Sequence, residues 1–446
     1  MTRRVAVTGI GAISALGCDR AELWDALAAG RSGIAPRMLV PPRTVRFPNA
    51  AEVPGYRAAD YFDEKEAAQL DRFAQFALIA AREAVRDAGI EFDAALGENS
   101  AVVTGSSLGG KTAEDASFHA LYALKQTRVP PLSIPMAMAN AGASRISLEF
   151  GITGPVYTIS TACSSSNHAI GQAFWMVRNG VVEAAIAGGS EAPFSHGVLK
   201  AWEAMRVVSP DTCRPFSRDR CGLILGEGAA MLVIEPLDRA RARGARIWGE
   251  IAGFGMSSDA HHLTHPSAQG AARAMRAALH DAGIAPEAIG YINAHGTGTA
   301  INDPCEVEAI RAVFGPHAGK LMASSTKSMH GHALGAAGAI EAAAALMTLH
   351  EGIVPPTANF NERDPACDLD VVPNVARRVE IECALSNSFA FGGLNAVLAF
   401  RRLHGPRSLA PGASREPVEA AWLDEGHHGQ TRQFTSRQER RAILAR

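Results

Sequence analysis

The chain has 446 residues with 43 basic and 45 acidic side chains, and a formal net charge of −2 excludes bulk electrostatic attraction to nucleic acid, so any charged partner must meet a local patch. Hydrophobic residues make up 47% with only 6% aromatic, and the 43 glycines suit an α/β enzyme whose helices pack close to its strands. The seven cysteines (Cys18, Cys163, Cys213, Cys221, Cys305, Cys367 and Cys383) are odd in number, scattered and free of CxxC pairs, which fits a reducing cytoplasm.

Met1-Thr2-Arg3-Arg4 leads at once into a strand-like Val5-Ala6-Val7-Thr8, with no apolar stretch long enough for a signal peptide. Gly9-Ile10-Gly11-Ala12-Ile13-Ser14 opens like a dinucleotide fingerprint. Ser14 stands at the third glycine position, however, and no acidic residue closes a strand at the usual distance, so that reading is rejected. Helical spacing covers 21–29 and 65–88, and a strand follows at 101–104. Gly105-Ser106-Ser107-Leu108-Gly109-Gly110-Lys111-Thr112 then matches the GxxxxGK(S/T) phosphate-binding loop in full. Against nucleotide binding, no strand ends in a Mg²⁺-binding Asp: Met231-Leu232-Val233-Ile234 runs into Glu235-Pro236. The alternative is a glycine-rich turn that lets backbone approach an apolar pocket.

Val156-Tyr157-Thr158-Ile159 reads as a strand, 169–179 as a helix stopped by Gly180, and between them lies Ser160-Thr161-Ala162-Cys163-Ser164-Ser165-Ser166. A cysteine at such a junction faces free backbone N–H groups and the positive end of a helix dipole, both of which favour the thiolate. Taken alone, a single cysteine is more often a small buried structural residue. After a strand at 184–187, a second βα series begins near residue 250: a strand at 251–253, helix 270–282, strand 289–294, helices 304–314 and 333–349, and a strand at 397–400. The Ala-rich run 333–349 contains Glu341 and glycines, so it is a packed core helix and not a membrane span. His261, His262 and His265 have zinc-like spacing but no fourth ligand, and a polar active-site loop is the better reading.

Two further loops carry chemistry. Asn293-Ala294-His295-Gly296-Thr297-Gly298-Thr299 exposes a histidine beside two hydroxyls, and Ser325-Thr326-Lys327-Ser328-Met329-His330-Gly331-His332 leads into the Ala-rich helix. One cysteine at an elbow plus two loop histidines supplies a nucleophile and two imidazole donors.

On these motifs, TAC at Cys163, HGTGT at His295, KSxxGH at Lys327 and His332, and Asn387-Ser388-Phe389-Ala390-Phe391-Gly392-Gly393, residues 3–402 resemble a β-ketoacyl-acyl carrier protein synthase of the elongating Cys-His-His type. The resemblance implies a thiolase-like α/β fold of two related βαβαβ halves in α-β-α-β-α layers. The two βα series place the halves at 1–250 and 251–403, and the shift to Pro, Gly, Arg, Glu, Gln and His from His404 marks 404–446 as a flexible tail carrying a short helix at 437–444. The resemblance further implies that Cys163 accepts an acyl chain and that the amides of Cys163 and Phe391 form an oxyanion hole. His295 and His332 would hold the malonyl thioester while CO₂ leaves, and Lys327 would orient the site with Glu306 as its partner. Thr297 and Thr299 would bind the pantetheine arm, Phe391 would gate the acyl pocket with the loop 259–266 behind it, and Leu108 would lie along the acyl channel. Asn293, Glu341, Ser386 and Asn387 match positions that hold a structural monovalent cation in some relatives.

No redox cofactor or catalytic metal is implied; phosphopantetheine arrives on an acidic carrier protein, which Lys65, Arg128 and Arg206 would meet. Ala68 and Gln69 thin that patch, and Ala390, Leu394, Cys221 and His330 depart from common family residues at the gate and in its surroundings. These departures keep open a synthase for a specialised acyl chain (polyketide, aryl polyene or nodulation-type lipid signal) beside fatty-acid elongation. A noncatalytic chain-length-factor partner is the remaining alternative. The resemblance also implies a homodimer, residues 130–136 reaching toward the partner's acyl pocket; from charge and composition the chain is expected to be cytoplasmic, with no nucleic-acid partner and no transmembrane segment.

Overall fold

The computed structural model describes residues 2–40 and 44–403; the expected tail at 404–446 and its short helix lie outside the described residues. Ten strands form one mixed sheet: β1 (Val5–Ser14), β2 (Ser100–Gly105), β3 (Val156–Ile159), β4 (Ala184–Glu191), β5 (Gly228–Pro236), β6 (Gly249–Ser258), β7 (Ile289–Asn293), β8 (Met322–Ser324), β9 (Cys383–Ala390) and β10 (Leu394–Arg401). Their order is β8-β7-β9-β10-β6-β1-β5-β4-β2-β3. Counted inward from each edge, each half runs third, second, fourth, fifth, first in its own sequence order, which is the signature of an internal duplication. The halves join where β1 and β6 pair antiparallel, with Val5 opposite Ile251.

Helices α1 (Arg72–Ala88) and α3 (Ala268–Ala282) cover the outer faces, α1 on β1 and β5, α3 on β6 and β10. Helices α2 (Ser165–Arg178) and α5 (Ala337–Glu351) lie at the centre, pack on each other and touch strands of both halves. The expected α-β-α-β-α layering is therefore observed. Every residue of α5 from Ala337 to Leu349 is buried, as a helix apolar on all sides requires.

Three sequence-predicted helices change shape for local reasons. The helix expected over 65–88 is two elements, Glu64–Ala67 and α1, because Asp71 caps α1 by accepting the Phe73 N–H at 3.1 Å. Asp71 also accepts the Ala113 N–H at 2.7 Å, and a buried carboxylate with those partners cannot sit inside an apolar helix face. The helix expected over 169–179 starts four residues earlier, at Ser165, and the one expected over 333–349 opens as a 3-10 turn over Leu334–Ala336.

Two glycine-rich motifs serve packing. A Cβ on Gly11 would lie 2.0 Å from the carbonyl oxygen of Ala80, so the fingerprint-like glycine in the second half of β1 lets α1 rest directly on the strand. A Cβ on Gly105 would lie 2.4 Å from backbone atoms of Ser165 and Ser166, where the first turn of α2 crosses the end of β2. Gly105→Ala is expected to destabilise the protein by roughly 1–3 kcal/mol through overpacking. An unchanged midpoint in urea unfolding would contradict so close an approach.

Candidate active site

Cys163 sits on a tight elbow between β3 and α2. Ala162 just before it has φ of +50°, in the left-handed region that non-glycine residues seldom occupy. The elbow is held by the Thr161 N–H donating to Ser165 Oγ at 2.9 Å and by Ser164 Oγ donating to the Thr161 carbonyl at 2.9 Å. The backbone N–H groups of Phe391 and of Cys163 itself favour the sulfur's anion. The expectation of a stabilised thiolate is corrected: burial pushes the thiol up to about 11, and Lys327 and the Phe391 amide only partly oppose it. The resting group is a thiol.

The loop after β7 owes its shape to two buried carboxylates one helical turn apart on α4 (Asn302–Phe314). Glu306 accepts the N–H groups of His295 at 2.9 Å and Gly296 at 2.8 Å; Asp303 accepts those of Thr297 at 3.1 Å and Gly298 at 3.2 Å. Four successive amides are thereby fixed. Glu306 is thus a backbone anchor and not the partner of Lys327, as the sequence reading had it.

That partner is Glu341, and both side chains are fully buried. Lys327 Nζ also lies 3.3 Å from His295 Nδ1. An ammonium has only donors, so Nδ1 accepts and the His295 proton is on Nε2. The Leu334 N–H donates to His332 Nδ1 at 3.2 Å, which places the His332 proton on Nε2 as well. Burial and the Lys327 charge hold both rings well below the usual histidine range, so both are neutral N–H donors at pH 7. The rings lie edge to face at 84°, with centroids 5.5 Å apart.

The expected cation positions share one property. Asn293 Oδ1, Glu341 Oε2, Ser386 Oγ and Asn387 Oδ1 are all buried without a hydrogen-bond partner, and Asn293 and Ser386 pair across β7 and β9. Glu306 orients Asn387 by accepting from its Nδ2 at 3.1 Å. Unpaired buried oxygens carry a desolvation cost, and a set made wholly of oxygen fits a hard cation.

A cavity of about 250 Å³ opens onto Cys163, His295 and His332, with Thr297, Thr299 and Phe391 in its wall. Phe391 is at the tip of the β9–β10 hairpin and stacks on Trp202 at 6.3 Å. The loop 259–266 is tied to this hairpin: Gly392 N–H donates to the Leu263 carbonyl at 2.7 Å and Asp259 N–H to the Gly393 carbonyl at 2.9 Å. Cys221 and Ala390 also line the cavity. Arg206 stands exposed on its rim, whereas Lys65 and Arg128 are exposed away from it.

Leu108 does not line this cavity; it packs beside Phe194, Leu199, Leu225 and Leu334. The loop that carries it is filled from within. The Glu191 carboxylate, at the end of β4, accepts the N–H groups of Ser107 at 2.7 Å and Leu108 at 3.2 Å and the hydroxyl of Ser106 at 3.0 Å. An internal carboxylate occupies the donors a phosphate would need, and Lys111 pairs with Glu114. Glu191, Asp303 and Trp202 escaped the sequence reading. A charge closing the apolar run Ala184-Ala185-Ile186-Ala187-Gly188-Gly189-Ser190-Glu191 was a usable signal for the first, and an acid in the first turn of a helix for the second; Trp202 had none.

An elbow cysteine beneath two amide donors, facing two neutral imidazole donors across a cavity, is an arrangement suited to acyl transfer on a thiolase-like fold. Residues 2–240 match the model of the β-ketoacyl synthase N-terminal domain and 248–361 that of the C-terminal domain, so the chain belongs to the β-ketoacyl synthase family of condensing enzymes. It is 48% identical to Nodulation protein E of Rhizobium sp. (strain N33), over 90% of this chain and 100% of that protein. It is 41% identical to 3-oxoacyl-(acyl-carrier-protein) synthase 2 of Staphylococcus aureus (strain COL), over 90% of this chain and 98% of that protein. Among solved structures it resembles the ishigamide ketosynthase/chain length factor, with TM-score 0.87, 37% identity, and 91% of this chain and 100% of that one covered. It also resembles a type II PKS acyl-carrier protein in complex with its ketosynthase bound to the hexaketide, with TM-score 0.83, 31% identity, and 90% of this chain and 100% of that one covered. No helix among the described residues is long and apolar enough to cross a membrane.

The electrostatics give a pH test. Iodoacetamide alkylation of Cys163 is expected to rise with pH toward about 11. Lys327→Ala should move that profile further up, because the removed cation favours the thiolate. A wild-type midpoint near a free cysteine's value of about 8.5 would refute the burial argument.

Proposed function

We propose that the protein elongates acyl chains by two carbons in fatty-acid biosynthesis, with each step assigned to a residue as follows. The Cys163 sulfur attacks the thioester carbonyl of an acyl carrier protein. Negative charge on that oxygen is met by the N–H groups of Cys163 and Phe391, the carbon–sulfur bond to pantetheine breaks, and the departing thiol takes the proton Cys163 gives up. Malonyl carrier protein then enters, its arm steadied by Thr297 and Thr299. Its carboxylate leaves as CO₂, and the enolate oxygen is held by the Nε2–H groups of His295 and His332. The enolate carbon attacks the acyl-Cys163 carbonyl, the thioester breaks, and the released Cys163 thiolate takes a proton from solvent with the β-ketoacyl product left on the carrier.

The observation that carries this assignment is the convergence of two neutral Nε2–H donors and one buried cysteine on a single cavity. Neutral rings suit the step, since they stabilise a developing enolate without protonating it outright. Lys327 holds the His295 tautomer. Asn293, Glu341, Ser386 and Asn387 would hold a monovalent cation, whose charge would offset that of Glu341. Phosphopantetheine on the carrier is the one prosthetic group the scheme requires, and Arg206, Lys65 and Arg128 are the cations offered to that acidic partner.

Exposed Phe118, Tyr122, Leu124, Leu132, Ile134 and Met138 form an apolar stretch around 118–138, which supports a homodimer with residues 130–136 facing the partner. All seven cysteines are unpaired, which supports a cytoplasmic location. The complete set of Cys163, His295, His332 and Lys327 speaks against a noncatalytic chain-length factor. A second reading, a synthase dedicated to a specialised acyl chain, is supported by the 48% identity to Nodulation protein E against 41% to the synthase 2 relative.

Incubation with acyl carrier proteins of graded chain length should add one acyl group to Cys163 by intact mass, and the chain lengths accepted separate the two readings. The adduct should vanish in Cys163→Ala; an adduct that persists there would sink the assignment. Cys163→Gln should lose condensation while decarboxylation of malonyl carrier protein continues, because that step needs only His295 and His332.

A further inference from the structure

A second cavity, of about 670 Å³, opens beside the C-terminal end of α4 and shares no lining residue with the one that leads to Cys163. Its volume lies in the range of about 300–1,000 Å³ usual for small-molecule sites. No step of the acyl-transfer scheme uses it. Phe360, Leu369, Val371 and Pro373 give it apolar surface, and three guanidiniums, Arg311, Arg363 and Arg377, meet two carboxylates, Asp368 and Asp370, in its wall.

These charges do not cancel evenly. Asp370 pairs with Arg377 and also accepts the Val372 N–H at 3.2 Å, so that pair is neutral and fixed. Asp368 is shared: Arg363 pairs with one oxygen, and Arg311 Nη2 stands 3.3 Å from the other. Hydrogen bonding to Arg363 holds the Asp368 carboxyl below the usual carboxylate range, so it is ionised at neutral pH. The Arg311–Asp368–Arg363 group therefore carries one positive charge in excess. Donors are in excess there too. Arg311 and Arg363 bond only through Nη2, to Asp368, which leaves the N–H groups of Nε and Nη1 on both without a partner among the described residues. The two side chains are 51% and 77% exposed. A guanidinium offers such donors in a planar fork that matches a carboxylate.

We propose that this cavity is a second ligand site, taking an organic carboxylate with a compact apolar body: Arg311 and Arg363 receive the anion, and Phe360, Leu369 and Pro373 cover the rest. A single negative charge balances the excess, whereas a phosphate dianion would stand uncompensated beside Asp368 and Asp370. The inference goes beyond the ketosynthase reading and does not depend on it. Its place in the fold gives it reach, because the cavity is walled by segments that brace both catalytic loops. Helix α4 carries Glu306 and Asp303; the Asp370 carbonyl accepts the Ala323 N–H at 2.8 Å, and Thr357 Oγ1 donates to the Val371 carbonyl at 2.7 Å while accepting the Ser325 N–H at 3.1 Å, two residues before Lys327.

Calorimetry on the full chain with benzoate and benzamide, alike in shape and different in charge, tests the site. Benzoate is expected to bind about tenfold more tightly, the effect of one charge-assisted hydrogen bond. That preference should fall to about one in Arg311→Gln and in Arg363→Gln. The second variant removes a largely exposed side chain and should keep the wild-type midpoint in urea, so it decides the matter even where the first fails to fold. Equal binding of the two compounds by the wild-type protein, or a preference that survives Arg363→Gln, would overturn the site. Prior alkylation of Cys163 with iodoacetamide should leave benzoate binding unchanged; its loss would put the carboxylate in the catalytic cavity instead. Phenyl phosphate, a dianion at about pH 8, should bind no more tightly than benzoate, and a tenfold gain would refute the assignment to a carboxylate.

Discussion

One positive charge, sealed at the centre of the molecule, governs the site. Lys327 is fully buried and, among the described residues, its only carboxylate partner is the equally buried Glu341, an arrangement whose disruption typically costs about 3–5 kcal/mol. Its Nζ fixes the His295 tautomer, and its field adds to burial in holding His295 and His332 neutral and pulls the Cys163 thiol down against burial. The second oxygen of Glu341 is buried without a hydrogen-bond partner, as are side-chain oxygens of Asn293, Ser386 and Asn387. The thiol and both imidazoles feel a charge that does not line the cavity.

Around that centre, buried carboxylates do the work of shaping loops. Glu306 and Asp303 hold four successive amides of the histidine loop, and Glu191 fills the glycine-rich loop after β2 while also accepting the Gly335 N–H at 3.0 Å. Gly335 follows His332 by three residues, so one carboxylate joins a loop of the first half to the imidazole segment of the second. Loop backbone deep in a protein needs partners for its N–H groups, and here acids on neighbouring helices and strands supply them. The loop that looked like a phosphate cradle is one case: the geometry of the motif is real, and its anion is internal.

The strands and most helices were legible because their apolar residues recur at periods set by backbone geometry, and the duplication showed as two βα series meeting near residue 250. Cys163, His295, Lys327 and His332 were legible because each sits in a short motif that mixes glycine with reactive side chains. Other features were hidden for reasons equally local to particular residues. The break before Arg72 depends on Asp71 reaching Ala113 some 42 residues away. Glu306 and Glu341 are both buried acids on helices near Lys327, and nothing in their spacing says which one meets the ammonium. Leu108 is apolar and near a loop, yet which cluster it joins is decided by Phe194, Leu199, Leu225 and Leu334.

By itself the sequence determined the reactive groups, the layered α/β fold and the family, since all of these are written in spacings of a few residues to one turn of chain. Tertiary structure alone decided the state of those groups. The thiol is pushed up to about 11 where the helix terminus at Ser165 argued for a thiolate, because burial at Cys163 removes the water that would stabilise the anion, and burial is set by packing of both halves around the site. Protonation, pairing and access are properties of a low-dielectric interior built from residues far apart in the chain, and only their assembly fixes them.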